Sequence, residues 1–137
     1  MAKKILVVED HPSVRTMLVS LFRNHGYEVT EAHDGHDGLA LLRQGGFDAV
    51  LLDLKLPTID GFSILKLLHE QPPKNPNGPI IVFSNTGDES AKQQSLEFGA
   101  ASFVHKENLD TLKLVEQVEA TMAHKVPTST TNPFTQA

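Results

Sequence analysis

Residues 49–61 read AVLLDLKLPTIDG, and the reading of the first five decides the fold. Ala49, Val50, Leu51 and Leu52 form an unbroken apolar run of strand length, with no alternation of polar and apolar positions. Such a run describes a strand buried on both faces, as in a parallel sheet. It ends at once in a carboxylate, Asp53, and Lys55 and the turn-formers Pro57, Asp60 and Gly61 follow. Either the strand simply stops at a polar residue, or it delivers an acid to a place where an acid is needed.

The same pattern recurs on both sides of this stretch. Ile5 to Val8 is an apolar run ending in Glu9-Asp10, Ile80 to Phe83 ends in Ser84, and Ala101 to His105 ends in Lys106. Tyr27 to Ala32 is a weaker strand, with Glu28 and Glu31 suited to an edge. Helical periods lie between. After Pro12, which suits a first helical turn, Val14, Met17, Leu18, Leu21 and Phe22 repeat at helical spacing until Gly26. Asp34-Gly35 turns into a short helix with Leu39, Leu41 and Leu42, closed by Gly45-Gly46. Asp60 is placed to cap a helix over 61–70, with Phe62, Leu65 and Leu68 on one face. Residues 71–79 hold four prolines and a glycine and read as a loop. Asp88-Glu89 starts a helix running to about Phe98, weakly held because only Ala91, Leu96 and Phe98 suit a core. Asn108 is placed to cap the last helix, whose stripe is Leu109, Leu112, Val115, Val118 and Met122.

Five strands alternating with five helices predict an α/β domain over 1–123: a doubly wound, five-stranded parallel sheet. The polar residues 124–137, rich in Pro, Ser and Thr, are expected to be a disordered tail. At 137 residues, 39% hydrophobic and 21% charged, the chain is long enough for one core without staples. The absence of Cys excludes disulfides, thiolate catalysis and Cys-ligated metals. A formal charge of −5 disfavours direct nucleic-acid binding and adhesion to acidic membranes. No apolar run approaches the roughly 20 residues of a membrane span, and the apolar run after Lys3-Lys4 is too short for a signal peptide. A cytoplasmic protein is expected.

Doubly wound sheets carry function at the carboxyl ends of their strands. There this chain delivers Glu9 and Asp10, Asp53, Ser84 and Lys106, which converge on one rim if the strand order is 2-1-3-4-5. Three crowded carboxylates repel one another, and a hard divalent cation relieves that repulsion. Oxygen ligands without Cys favour Mg²⁺, which also binds phosphate oxygens. A metal beside a hydroxyl and an ammonium is a phosphoryl pocket, in which Asp53 can act as a carboxylate nucleophile. Glycine-rich nucleotide motifs are absent after the first strand, and Asp53-Leu54-Lys55 lacks the Asp-x-Asp of aspartyl phosphatases.

The stretches VVED (7–10), LLDLKLPTIDG (51–61), FS (83–84) and GAASFVHK (99–106), in this order, resemble the receiver domain of two-component response regulators. The resemblance covers roughly residues 3 to 122 and implies the flavodoxin-like fold with strand order 2-1-3-4-5. It further implies that Asp53 accepts a phosphoryl group from a phosphohistidine on a sensor histidine kinase or a histidine phosphotransfer protein. Glu9 and Asp10 match the metal-binding acids, with Asp53 and the backbone carbonyl of Lys55 completing the Mg²⁺ ligands. Ser84 and Lys106 match the hydroxyl and lysine positions, and Phe103 the switching aromatic. The domain is expected to catalyse its own Mg²⁺-dependent phosphorylation and dephosphorylation rather than turn over a separate substrate. Departures from the family pattern are Glu107 after the lysine, where proline is usual, Asn85 at a commonly small position, and Lys55 two residues beyond the acceptor. With no output domain read in the chain, a stand-alone regulator is expected. It would signal to an unidentified protein target, or to a second copy through the last two helices. A receiver-like docking module that works without phosphorylation is the competing reading. His33-Asp34-Gly35-His36 has metal-like spacing but reads as a polar turn.

Overall fold

The computed structural model describes residues 2–85, 89–108 and 110–123. Five strands, β1 (Lys4–Val8), β2 (Glu28–Ala32), β3 (Ala49–Leu52), β4 (Ile80–Ser84) and β5 (Ser102–His105), form one parallel sheet in the order β2-β1-β3-β4-β5. The helices are α1 (Pro12–Asn24), α2 (Gly35–Gln44), α3 (Gly61–Glu70), α4 (Glu89–Glu97) and α5 (Thr111–Ala123). This is the doubly wound, flavodoxin-like α/β architecture that the alternating pattern and the resemblance predicted.

Alternation along the inner strands sorts side chains into two cores. Leu6, Val8, Val50, Leu52 and Val82 point to one face and pack with Leu42 of α2, Ile64, Leu65 and Leu68 of α3, and Ala91 of α4. Ile5, Val7, Ala49, Leu51, Ile81 and Phe83 point to the other, against Leu18 and Phe22 of α1 and Leu114, Val115, Val118 and Met122 of α5. Both faces being covered is what permits β3 to be AVLL without a polar residue.

Two helices differ from the sequence reading. In α4 the buried residues are Ala91 and Ser95, while Leu96 is 37% exposed. Ser95 follows Ala91 by four positions and so shares its face, and its hydroxyl is satisfied by the Ala91 carbonyl at 2.8 Å. In α5 the helix starts at Thr111, capped by Asp110, whose carboxylate accepts from the amides of Leu112 and Lys113. Residues 106–108 form a 3-10 turn instead of a helix start. This start turns Leu114 inward and leaves Leu112 61% exposed. β2 and β5 each begin one residue later than expected. The expected starting residue of the fourth helix, Asp88, the stripe residue Leu109 and the tail 124–137 lie outside the described residues.

The loop from β3 to α3 is held by its own chemistry. Asp60 caps α3 by accepting from the Ser63 amide, as its position suggested. Gly61 is required because a Cβ there would press on the backbone of Asp53 and Leu54. Thr58 adopts φ +68, a costly conformation for a β-branched residue. Its hydroxyl donates to the Pro57 carbonyl (2.6 Å) and accepts from the His36 amide (2.9 Å), one of the amides that the first turn of α2 leaves without a helical partner. Thr58→Ala keeps most of the strain and loses both bonds, so urea denaturation should show a loss of about 1 kcal/mol. Thr58→Gly removes the strain as well and should fall near wild type. Equal losses in the two variants would mean that strain contributes nothing.

Candidate functional site

The parallel register sets the strand ends side by side. Val8 pairs with Leu52, Leu52 with Val82, and Ser84 with His105. The ladder continues past β1 and β3: the Glu9 amide donates to the Ala32 carbonyl (3.0 Å) and the Asp53 amide to the Val8 carbonyl (3.1 Å). Glu9, Asp53, Ser84 and Lys106 therefore arrive at one end of the sheet. There Asp10, Asp53, Lys55, Ser84 and Lys106 line a cavity of about 200 Å³, with His11 and Asn85 beside them.

Lys106 is the hub of the charges. Its Nζ lies 2.6 Å from Glu9 Oε1 and 2.9 Å from Asp53 Oδ2, with its side chain only 12% exposed. It also stands over the Phe83 ring, 5.6 Å from the centroid. The Asp53 contact is a hydrogen bond. The shorter Glu9 contact is an ion pair with the buried Oε1. Glu9 Oε2 accepts from the His11 amide at 3.1 Å, and Asp53 Oδ1 lies 3.4 Å from the Lys55 amide.

Burial raises the Glu9 pKa above its ordinary value, and the neighbouring Asp53 charge adds to the rise; Lys106 and the His11 amide only partly oppose them. For Lys106, burial favours losing the proton. Glu9 and Asp53 together outweigh that effect and hold its pKa above the ordinary lysine value. Lys106 is thus a firmly protonated ammonium between two carboxylates.

The residue set fits a divalent cation. Glu9, Asp10 and Asp53 bring three carboxylates to this end of the sheet, and the Lys106 ammonium contacts two of them, Glu9 and Asp53. Glu9 Oε1 is buried with the Lys106 ammonium 2.6 Å away, and Glu9, Asp10 and His11 offer ligand atoms within 4.8 Å of one another. Oxygen-rich donors without thiolate suit Mg²⁺ rather than a soft metal.

Every site residue expected from the sequence lies at this end of the sheet except Phe103. Its half-buried ring packs against the core on the α2–α4 face, with the His105 ring edge-on at 5.0 Å between centroids. His33 faces the Asp34 and Asp37 carboxylates at 3.9 Å, and Asp34 caps α2 through the Asp37 amide, as a polar turn would. Arg15 was not legible as part of this site: its partners here are mainly backbone carbonyls, which leave no mark on a sequence.

Residues 5–119 match the family described as "Response regulator receiver domain". The transcriptional regulatory protein ZraR of Salmonella typhimurium is 36% identical over 133 residues, covering 97% of this chain and 29% of that protein. The chain thus spans under a third of that relative's length. A putative response regulator from Chloroflexus aurantiacus superposes with TM-score 0.79 at 32% identity, covering 90% of this chain and 99% of that one. The receiver domain of the sensor histidine kinase PA1611 from Pseudomonas aeruginosa, solved with magnesium coordinated in its active-site cleft, superposes with TM-score 0.77 at 26% identity, covering 90% and 99%.

Proposed function

From a chain that belongs to the response regulator receiver domain family, we infer that Asp53 takes a phosphoryl group from a phosphohistidine on a sensor histidine kinase or histidine phosphotransfer protein. The observation that carries this reading is the buried triad of Glu9, Asp53 and Lys106 opening on a small polar cavity. A carboxylate oxygen of Asp53 attacks the phosphorus, the P–N bond breaks, and the leaving imidazole nitrogen keeps the bonding pair. The product is an acyl phosphate on Asp53.

The residues around the acid divide the remaining work. Lys106, already 2.9 Å from Asp53, supplies a fixed positive charge to a phosphoryl oxygen. Ser84, fully buried in the cavity wall, is positioned to donate its hydroxyl to another. Glu9, Asp10, Asp53 and the Lys55 carbonyl would hold Mg²⁺, which when bound neutralises phosphoryl charge. Among the described residues, no helix is long and apolar enough to cross a membrane.

Phosphorylation replaces one carboxylate with a group of about −1.5 to −2 charge and three acceptor oxygens. The element best placed to respond is α4, which buries only Ala91 and Ser95. We take the output surface to be α4, β5 and α5, where Leu96 and Leu112 are exposed, with Ser84 and Phe103 linking it to the site. This face suits a downstream protein or a second copy of the chain. Intact-protein mass after incubation with a small-molecule phosphodonor tests the reading: one phosphoryl increment is expected, and only with Mg²⁺. No increment from small donors or from a panel of kinases would leave the phosphorylation-independent docking module as the better reading.

A further inference from the structure

Arg15 stands at the start of α1, with its side chain 18% exposed. Its Nη1 donates to the carbonyls of both Glu9 (2.9 Å) and Asp10 (3.2 Å), the consecutive acids that follow β1. Its Nε donates to Glu31 Oε1 on the edge strand β2 at 3.2 Å. A guanidinium is planar and permanently charged, so its donors leave in fixed directions. One group therefore ties two consecutive carbonyls of the β1–α1 turn to β2 and restrains the peptide between them. That peptide's orientation sets where the Glu9 and Asp10 side chains leave the backbone.

We propose that Arg15 is a positioning residue that preorganises the Glu9–Asp10 acid pair for a divalent cation, anchored through Glu31. It touches neither the cation nor the phosphoryl group. The proposal rests on reading the acid pair as a cation site. Positioning competes with a simple charge effect of opposite sign, because a nearby guanidinium repels a cation and its loss would then tighten binding. Pairing with Glu31 reduces that repulsion, so orientation dominates. Outer partners that orient ligands typically change metal affinity by about 10–100-fold.

Calorimetric titration of Mg²⁺ into the metal-free full chain tests this, with wild type, Arg15→Lys, Arg15→Ala and Glu31→Gln compared and melting temperatures recorded. Arg15→Lys keeps the charge and loses the fork, so about a 10-fold rise in Kd is expected, and a similar one for Arg15→Ala. Glu31→Gln leaves both carbonyl contacts in place and should show a smaller rise, giving a second reading if an Arg15 variant does not fold. A folded Arg15→Lys with wild-type Kd, or an Arg15→Ala that binds Mg²⁺ more tightly, would overturn the proposal, as would a lowered melting temperature with Kd unchanged. Asp10→Asn separates the two levels of inference. Wild-type binding lost in Asp10→Asn but indifferent to Arg15 overturns the positioning role alone; wild-type binding indifferent to Asp10→Asn overturns the cation site and the positioning role together.

Discussion

Asp53→Asn is expected to take up no phosphoryl group from any donor that labels the wild type. The substitution is nearly isosteric, so the cavity keeps its shape and the amide hydrogen bond to Val8 is untouched. What disappears is the nucleophile, because an amide oxygen lacks the charge that attacks phosphorus. Stability should stay within about 1 kcal/mol of wild type or rise. The Asp53 charge is one cause of the raised Glu9 pKa, and removing it relieves that repulsion. Intact-mass measurement reads the first effect and urea denaturation the second. A fully labelled Asn variant would place the acceptor elsewhere. An unfolded one would leave the missing label uninformative, and stability is measured on the same sample for that reason.

Strand ends were legible because burial on both faces gives apolar runs that nothing else in a short α/β chain produces; AVLL at 49–52 became β3 residue for residue. The α3 start was legible from Asp60-Gly61, since a cap and a close backbone approach each demand a residue type. Helix phase was less so. In α4 hydropathy favours Leu96, yet geometry selects Ser95, a small residue whose hydroxyl is satisfied inside the helix. In α5 the sequence reading placed Leu112 on the buried stripe after an Asn108 cap, whereas the helix is capped by Asp110 and buries Leu114, leaving Leu112 exposed. The site itself followed from topology: Glu9 and Lys106 meet only because β1, β3, β4 and β5 are consecutive in the sheet. Lys106 as the bridge between two acids was not legible, since the sequence reading assigned it only to the phosphoryl group.

That bridge predicts a stability effect separable from phosphorylation. Lys106→Met keeps an unbranched side chain of similar size but removes the charge, and with it the ammonium's contact with the Phe83 ring, leaving Glu9 and Asp53 without the ammonium that pairs them. Breaking a buried pair from one side costs about 3–5 kcal/mol. Because Glu9 can take up a proton instead, about 3 kcal/mol is expected near neutral pH in metal-free buffer. Two conditions should shrink the loss. Saturating Mg²⁺ replaces the missing charge: it stabilises both proteins, and the loss shrinks by as much as the variant, freed of the competing ammonium, binds the cation more tightly, about 1.4 kcal/mol for a tenfold lower Kd. Acidification acts through Glu9, whose folded pKa lies above its ordinary value, so it takes up its proton before an unfolded glutamate does and one uncompensated charge vanishes. On the alkaline side the sign reverses in the wild type. The folded pKa of Lys106 lies above the ordinary 10.5, so its contribution is whole below that value and is lost as pH climbs through the folded pKa. Urea denaturation of both proteins, with and without Mg²⁺ at roughly pH 5 and pH 7, reads all of this except the alkaline limb. A loss that is the same in every condition would assign Lys106 to packing instead of charge, and the cavity would then lose its account as a site built to manage three carboxylates.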